Sequence, residues 1–127
     1  MHKSRFAGLI IDCDTDDLDA AAAFWSAALG APVKPADQPA AGPYAELSMP
    51  EGDPYVEVQK VQHDSRVHLD IEADDIDAEV ARLESLGARR IDAIKGWVVM
   101  QAPTGQRFCV VPVSRAGFGE NANTWGD

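Results

Sequence analysis

The chain has few cysteines and few basic residues, and both shortages limit what it can do. Its two cysteines, Cys13 and Cys109, stand in no C-x-x-C pair and are too few for a disulfide framework. There are 11 lysines and arginines against 21 acidic residues, which gives a formal net charge of −10. Such a charge repels phosphate backbones and acidic lipid surfaces. We therefore expect no nucleic-acid partner.

Long apolar runs are missing as well. Nothing in the 127 residues approaches the length of a membrane-spanning helix, and Phe6–Ile11 is too short for the apolar part of a signal peptide. We therefore expect a cytoplasmic protein with reduced thiols and no membrane partner. The length predicts a single domain, residues 1–127, with one hydrophobic core.

The clearest pattern runs from Arg66 to Gly87. Apolar and polar residues alternate strictly over Arg66–Glu72, which predicts a half-buried strand. Asp74 or Asp75 then caps a helix that ends at Gly87, since short carboxylates accept the unpaired N–H groups of a first helical turn. We expect the apolar face of the strand to pack on that helix and the opposite face to meet water or a cavity; the two faces are Val67, Leu69 and Ile71, and His68, Asp70 and Glu72.

Similar patterns cover the rest of the chain. A first strand is predicted over Phe6–Asp12, and a helix that begins at Asp17 and ends before Gly30. Residues 114–127 form a polar tail, in which Trp125 suggests a docking contact. Further strands are predicted at Tyr44–Met49, Tyr55–Val61, Arg89–Ile94, Trp97–Gln101 and Arg107–Pro112.

The two halves of the chain resemble each other. Asp17-Leu18-Asp19-Ala20 begins one helix and Asp75-Ile76-Asp77-Ala78 begins the other, and each helix ends in Leu-Gly-Ala. Strand, helix and about three strands thus occur twice, which predicts α+β layers in two modules, residues 6–62 and 66–113. Chance could also produce two similar acidic caps, because such caps are common.

The ordered set of motifs resembles one known superfamily. It comprises Phe24-Trp25 before Leu29-Gly30, His68 before Asp74–Asp77, Leu86-Gly87-Ala88, and Ala102–Gly105 before Phe108-Cys109-Val110. These residues resemble the vicinal oxygen chelate superfamily, the glyoxalase/bleomycin-resistance/dioxygenase fold, and within it the glyoxalase-like domain proteins. The resemblance implies two βαβββ modules that form a curved, half-open barrel around a cavity, and a homodimer.

The resemblance also implies where a metal would be held. Metal-using relatives take ligands from the first and last strands of each module, and His68 matches one such position. Glu57 or Gln59 matches a second position, Cys109 stands where relatives have Glu, and Leu9–Ile10 offers no ligand. The candidate metal ligands are therefore His68, Glu57 and Cys109. Three protein donors are the minimum for an open catalytic metal site. We therefore expect that the protein binds no metal, and the alternative is one divalent ion.

The same strands predict a ligand site. Polar and aromatic side chains that share one face of these strands would line the cavity. The alternative is that this face of the sheet meets solvent. For Cys109 we prefer the interpretation as a small buried hydrophobe to that as a ligand. The acids beside Cys13 should raise the pKa of that thiol. The predicted substrate-binding residues are Tyr44, Glu46, Ser48, Tyr55, Gln59, Asp70 and Trp97.

Three functions stay open at this point. We favour a glyoxalase-like protein with a degenerate metal site that binds a small molecule. The alternative is a metal-dependent lyase or isomerase of glyoxalase or epimerase type, with His68 as a ligand and Glu57 as a ligand or the catalytic base. The third is an interaction module without a pocket. Whether the protein is an enzyme is thus undecided by its sequence.

Overall fold

The computed structural model describes residues 1–35, 42–94 and 96–126. These residues form a mixed α+β fold, as predicted, and the chain divides into two compact units. We call residues 8–67 the 8–67 unit, and residues 1–7 with 68–127 the terminal unit. The first strand, β1 (His2–Asp14), contributes its beginning to the terminal unit and its end to the 8–67 unit.

The 8–67 unit places one helix on a three-stranded sheet. After β1 come α1 (Leu18–Leu29), β2 (Tyr44–Leu47) and β3 (Tyr55–Val61). Strand β3 lies between the other two, parallel to β1 and antiparallel to β2. A further strand is reduced to a single bridge between Val33 and Leu47. The core under α1 consists of Ile11, Ala31, Leu47, Val56 and Val58, with Leu18, Ala21 and Trp25 packed against it.

The terminal unit repeats this plan with more strands. It contains β4 (Arg66–Ala73) from His68 onward, then α2 (Ile76–Ser85), β5 (Arg89–Ile94), β6 (Trp97–Gln101), β7 (Arg107–Pro112), α3 (Phe118–Asn121) and β8 (Asn123–Trp125). Strand β7 is parallel to β4 and antiparallel to β6, which pairs antiparallel with β5. The core beneath α2 consists of Ala73, Val80, Leu83, Val98, Met100, Phe108 and Val110.

The predicted helix boundaries are confirmed by their caps. The side chain of Asp17 accepts a hydrogen bond from the N–H of Ala20, and Asp75 accepts one from Ala78 at the matching place in α2. Gly30, with a φ of 68°, ends α1 in the left-handed conformation that glycine adopts without strain. Both helices therefore begin on the aspartates that the sequence repeat indicates.

The prediction for the two faces of β4 is partly wrong. Ile71 packs against the core under α2, but Val67 is 54% exposed and Leu69 is 46% exposed. Asp70 and Glu72, expected beside water or a cavity, are 7% and 0% exposed. The alternation is correct for a strand, because period two fixes which residues share a face. It does not determine how far along the strand the helix reaches.

The two chain termini pair with each other. Strand β1 begins four residues earlier than predicted, and His2 pairs with Trp125 of β8 in an antiparallel ladder. The ladder supplies backbone hydrogen-bond partners to residues 2–4, a polar segment whose sequence shows no strand pattern. The expected docking of Trp125 is confirmed. Among the described residues, no helix is long and apolar enough to cross a membrane.

Candidate functional site

In the terminal unit, the face of β4 opposite α2 carries polar residues. Ile71 and Ala73 contact the core beneath α2, so His68, Asp70 and Glu72 point to the other face. We call these three residues the polar row. Asp70 pairs directly with Cys109 in the parallel ladder between β4 and β7. Cys109 alternates with the core residues Phe108 and Val110, so its thiol lies on the same face as the polar row.

Three possible metal donors converge at one end of the polar row. A ring nitrogen of His68, a carboxylate oxygen of Asp70 and Sγ of Cys109 all lie within 4.8 Å of one another. His68 Nε2 and Asp70 Oδ1 are 3.8 Å apart, with side chains 15% and 10% exposed. We call this set the donor cluster. It contains two of the three predicted metal ligands and adds Asp70, which the sequence assigns to substrate binding.

The other end of the polar row is closed. Glu72 Oε2 accepts hydrogen bonds from Arg5 Nε at 3.1 Å and Arg115 Nη1 at 3.3 Å. Its Oε1 accepts from the backbone N–H groups of Ser114 and Arg115. Arg5 also donates to the carbonyl oxygens of Arg115 and Ala116. Glu72 therefore fixes the start of the C-terminal tail across this end of the row and is a structural residue.

In the 8–67 unit, the face opposite α1 is also polar and aromatic. Val56 and Val58 pack under the helix, so Tyr55, Glu57 and Gln59 lie on the other face of β3, all half-buried. We call these three residues, together with Tyr44 and Glu46 of β2, the 8–67 face. Within it, the side chain of Gln59 donates a hydrogen bond to Tyr44 Oη at 3.1 Å. At its edge, Lys34 Nζ lies 2.5 Å from Glu46 Oε2.

Gly8 makes room for one of these aromatic rings. A Cβ atom at Gly8 would overlap the ring and the carbonyl oxygen of Tyr55, its partner in the ladder between β1 and β3. A side chain at position 8 would therefore displace the ring from this face. Glycine is therefore required at position 8 by the close approach of Tyr55.

The remaining predicted site residues are placed as follows. Ser48 follows β2 and is exposed, with its N–H bonded to the carbonyl of Pro32. Trp97 begins β6 in the terminal unit and is half-buried. Glu57 and Glu46 are cross-strand partners in the 8–67 unit. The roles of these residues in binding, and the place of Glu57 in a metal site, stay predictions.

A further buried carboxylate, on α2, is not among the residues that the sequence predicts for a site. Glu79, fully buried on α2, accepts hydrogen bonds from His2 at 2.7 Å, from Ser4 at 2.8 Å and from both Nε and Nη2 of Arg82. Ser4 Oγ in turn accepts from Trp125 Nε1 at 2.8 Å, and the Arg82 guanidinium lies 3.8 Å from the centre of the Trp125 ring. We call these five residues the Glu79 network.

The sequence contains one usable signal for this network. Glu79 stands three residues after Ile76 and one before Val80, so helical spacing places a carboxylate on the buried face of α2. A buried charge needs partners, and Arg82 is the nearest in sequence. The contacts with His2, Ser4 and Trp125 join distant parts of the chain, and no local pattern indicates them.

The pKa of the Glu79 carboxyl reflects this environment. Burial raises it, but the hydrogen bonds from Arg82, His2 and Ser4 outweigh burial and hold it below its ordinary value of 4.5. An ionised carboxylate only accepts hydrogen bonds, so His2 donates through Nε2–H. Burial is also the main reason why the pKa of the Cys13 thiol is raised, with a smaller contribution from Asp12. The predicted direction for Cys13 is thus confirmed.

The lowered pKa of Glu79 predicts an acid-sensitive stability. A group whose pKa is lower in the folded state stabilises the fold above its unfolded pKa, and the stabilisation is lost as pH falls through the folded value. We expect the free energy of unfolding to drop below pH 4.5 more steeply in the wild type than in Glu79→Gln. Urea titrations between pH 7 and 3 measure both slopes. Parallel slopes for the two proteins would contradict the assignment.

In each unit a helix covers one face of the strands, and the opposite face is polar. This arrangement defines a class of mixed α+β protein built from repeated strand–helix–strand units. The model of the glyoxalase-like domain family matches residues 9–111. The chain therefore belongs to the glyoxalase-like domain family, and the resemblance to the vicinal oxygen chelate superfamily is confirmed. No sequence among the curated proteins matches it.

Solved structures show the same fold at low sequence identity. A hypothetical protein of Bacillus halodurans C-125 is 9% identical with a TM-score of 0.63, over 90% of this chain and 97% of that chain. A methylmalonyl-CoA epimerase solved with methylmalonyl-CoA and NH4+ is 19% identical with a TM-score of 0.58, over 91% and 97%. A single-substitution variant of the Streptomyces coelicolor methylmalonyl-CoA epimerase, in complex with 2-nitronate-propionyl-CoA, is 17% identical with a TM-score of 0.56, over 88% and 97%.

Proposed function

We propose that this glyoxalase-like domain binds a small organic molecule on the helix-free faces of its strands. The observation that carries the proposal is the 8–67 face, where two tyrosines and three polar side chains stay half-buried without packing on α1. Small-molecule sites combine apolar and aromatic walls with a few polar groups that fix orientation. Tyr44, Tyr55 and Gln59 supply both kinds of group.

Glu57 gives this face a possible chemical role. It lies between Ile10 of β1 and Glu46 of β2 in the two ladders, at the middle of the face. The second candidate function is a lyase or isomerase in which Glu57 carries a proton to and from the bound molecule. Glu57 is half-buried and has Tyr55 and Gln59 on the same face of the strand, which supports this candidate. A homodimer and a cytoplasmic location are part of the proposal.

Thermal shifts across a library of small acids, aldehydes and acyl-CoA thioesters test the binding proposal. The thioesters are included because methylmalonyl-CoA is bound in one similar structure. A ligand at 100 times its Kd should stabilise the fold by about 2.7 kcal/mol, which raises Tm by several degrees. Each hit is repeated after metal removal with a chelator. A flat profile over the whole library would contradict the proposal.

Matched variants locate the site of any hit. Gln59→Ala should raise the Kd about tenfold, equivalent to about 1.4 kcal/mol, through loss of one polar contact. Gln62→Ala is the control, since Gln62 is exposed on the connector after β3. Equal Kd values for the two variants would place the ligand elsewhere. Solvent deuterium that enters the ligand with wild type but not with Glu57→Gln would support the second candidate.

A further inference from the structure

We propose that the 8–67 face selects small molecules that carry an ammonium or guanidinium group. The inference rests on the proposed function and names the chemical class of ligand that this face takes. Glu57 pairs with the cationic nitrogen, and the rings of Tyr44 and Tyr55 lie beside it. A basic nitrogen can occur in the same molecule as a carboxyl or aldehyde group, so the inference narrows the class of ligands proposed above.

Two carboxylates oppose each other at the centre of this face. Glu46 of β2 and Glu57 of β3 are direct partners in the antiparallel ladder, and both alternate with residues of the core under α1. Side chains at such positions have Cβ atoms about 4.5–5.5 Å apart, and like charges directly opposite each other destabilise a sheet. Proteins retain unfavourable pairs of this kind mainly at functional sites, where a bound ligand supplies the opposite charge.

Acidic groups outnumber basic ones in the ion pairs of this face. Lys34 Nζ lies 2.5 Å from Glu46 Oε2. Strand β1 brings Asp12 to the same face, and Arg66 Nε lies 3.9 Å from its Oδ2. With Glu57 these groups comprise three acids and two bases, which leaves one net negative charge. A cationic ligand neutralises that charge, whereas an anionic ligand adds to it.

The two basic side chains compensate the carboxylates only in part. Lys34 is 48% exposed and Arg66 is 49% exposed, so water screens much of their charge. Ion pairs at such exposure contribute little free energy. The 8–67 face therefore keeps a negative potential around Glu57, which lies between Ile10 and Glu46 in the two ladders.

Two tyrosines lie next to the central carboxylate. Tyr55 precedes Glu57 by two residues on the same face of β3, and Tyr44 is the ladder partner of Gln59, two residues after Glu57. The face of an aromatic ring attracts cations, and the attraction increases where water is excluded. Both rings are half-buried, and Gly8 allows the Tyr55 ring to lie against β1. Aromatic rings beside a carboxylate are the groups that recognise organic cations.

A panel of matched probes tests the charge preference in the full chain. Each set keeps one carbon skeleton and ends it in an ammonium group, in its neutral N-acetyl derivative or in a carboxylate; phenethylamine, N-acetylphenethylamine and 3-phenylpropanoate form one such set. We expect the ammonium members to bind with Kd values about tenfold or more below those of their counterparts, measured by calorimetry. Equal Kd values within every set, or tighter binding of the carboxylates, would overturn the inference.

Glu57→Gln identifies the carboxylate that holds the cation. It should raise the Kd of an ammonium probe about tenfold or more and leave the Kd of the neutral probe unchanged, because only the charge of the side chain is removed. Glu51→Gln is the matched control, since Glu51 is an exposed acid in the turn after β2. The same loss for both probes, or the same Kd values in both variants, would refute the role of Glu57.

The panel separates this inference from the proposed function on which it rests. Binding of neutral or carboxylate members alone would overturn the charge preference but leave small-molecule binding on the 8–67 face standing. A flat profile for the whole panel, together with a flat profile for the library above, would contradict both. These outcomes come from the wild-type protein, so they hold even if a variant fails to fold.

Discussion

Glu79→Gln is expected to lower the free energy of unfolding by about 3 kcal/mol, because removal of one partner from a buried ion pair leaves the other uncompensated. The carboxylate is 0% exposed and accepts four hydrogen bonds, two of them from Arg82. An amide keeps the shape but presents an N–H₂ group to donors that need an acceptor. Arg82 is 24% exposed, so solvent compensates part of its charge and keeps the loss near the low end of the known range.

Urea denaturation at pH 7 measures this effect, and Glu84→Gln provides the control. Glu84 lies on the same helix and is exposed, so its replacement should change stability by less than about 0.5 kcal/mol. Trp125→Phe should show an intermediate loss, because it removes the N–H bond to Ser4 while a ring remains near Arg82. Equal stability of Glu79→Gln and Glu84→Gln would mean that the Glu79 network contributes nothing to folding.

The elements that could be predicted are those set by local chemistry. Helix starts at Asp17 and Asp75 depend on a side chain that binds an N–H group three residues away, which a short sequence window contains. Strands β3, β5, β6 and β7 have the predicted boundaries, because period-two alternation is also local. The family resemblance added the module order, and the match over residues 9–111 confirms the family.

The elements that could not be predicted depend on distant pairing. The register that sets Asp70 beside Cys109 is fixed by the parallel ladder of β4 and β7, and no local pattern in either strand encodes it. For the same reason, the sequence assigns Asp70 to substrate binding and not to the donor cluster. Nothing in the sequence indicates a role for His2, yet it is 2% exposed because β8 and Glu79 cover it. The binding roles of Glu46, Ser48, Gln59 and Trp97, and the catalytic role of Glu57, stay predictions.

The exposed apolar residues of β4 follow from the same limit. Val67 and Leu69 share the alternation of Ile71, which packs under α2. Helix α2 is only ten residues long, about 15 Å, so it does not extend over the whole strand. A pattern of hydrophobic residues therefore identifies the buried face of a strand better than it identifies the length that is covered.

Glu72→Gln is expected to release the beginning of the C-terminal tail and to cost about 3 kcal/mol of stability. Glu72 is 0% exposed and binds Arg5, Arg115 and the N–H groups of Ser114 and Arg115. The amide would place a donor against one of these donors and leave a guanidinium unmatched. Arg115→Ala should cost less, because Arg5 still compensates the Glu72 carboxylate.

Trypsin provides the second readout for this substitution. The Arg115 side chain is 16% exposed in the wild type, which protects the bond that follows it from cleavage. Cleavage after Arg115 should become much faster in Glu72→Gln but stay at the wild-type rate in Glu120→Gln, an exposed carboxylate of the same tail. Equal cleavage rates after Arg115 in Glu72→Gln and Glu120→Gln would mean that Glu72 does not hold the beginning of the tail in place.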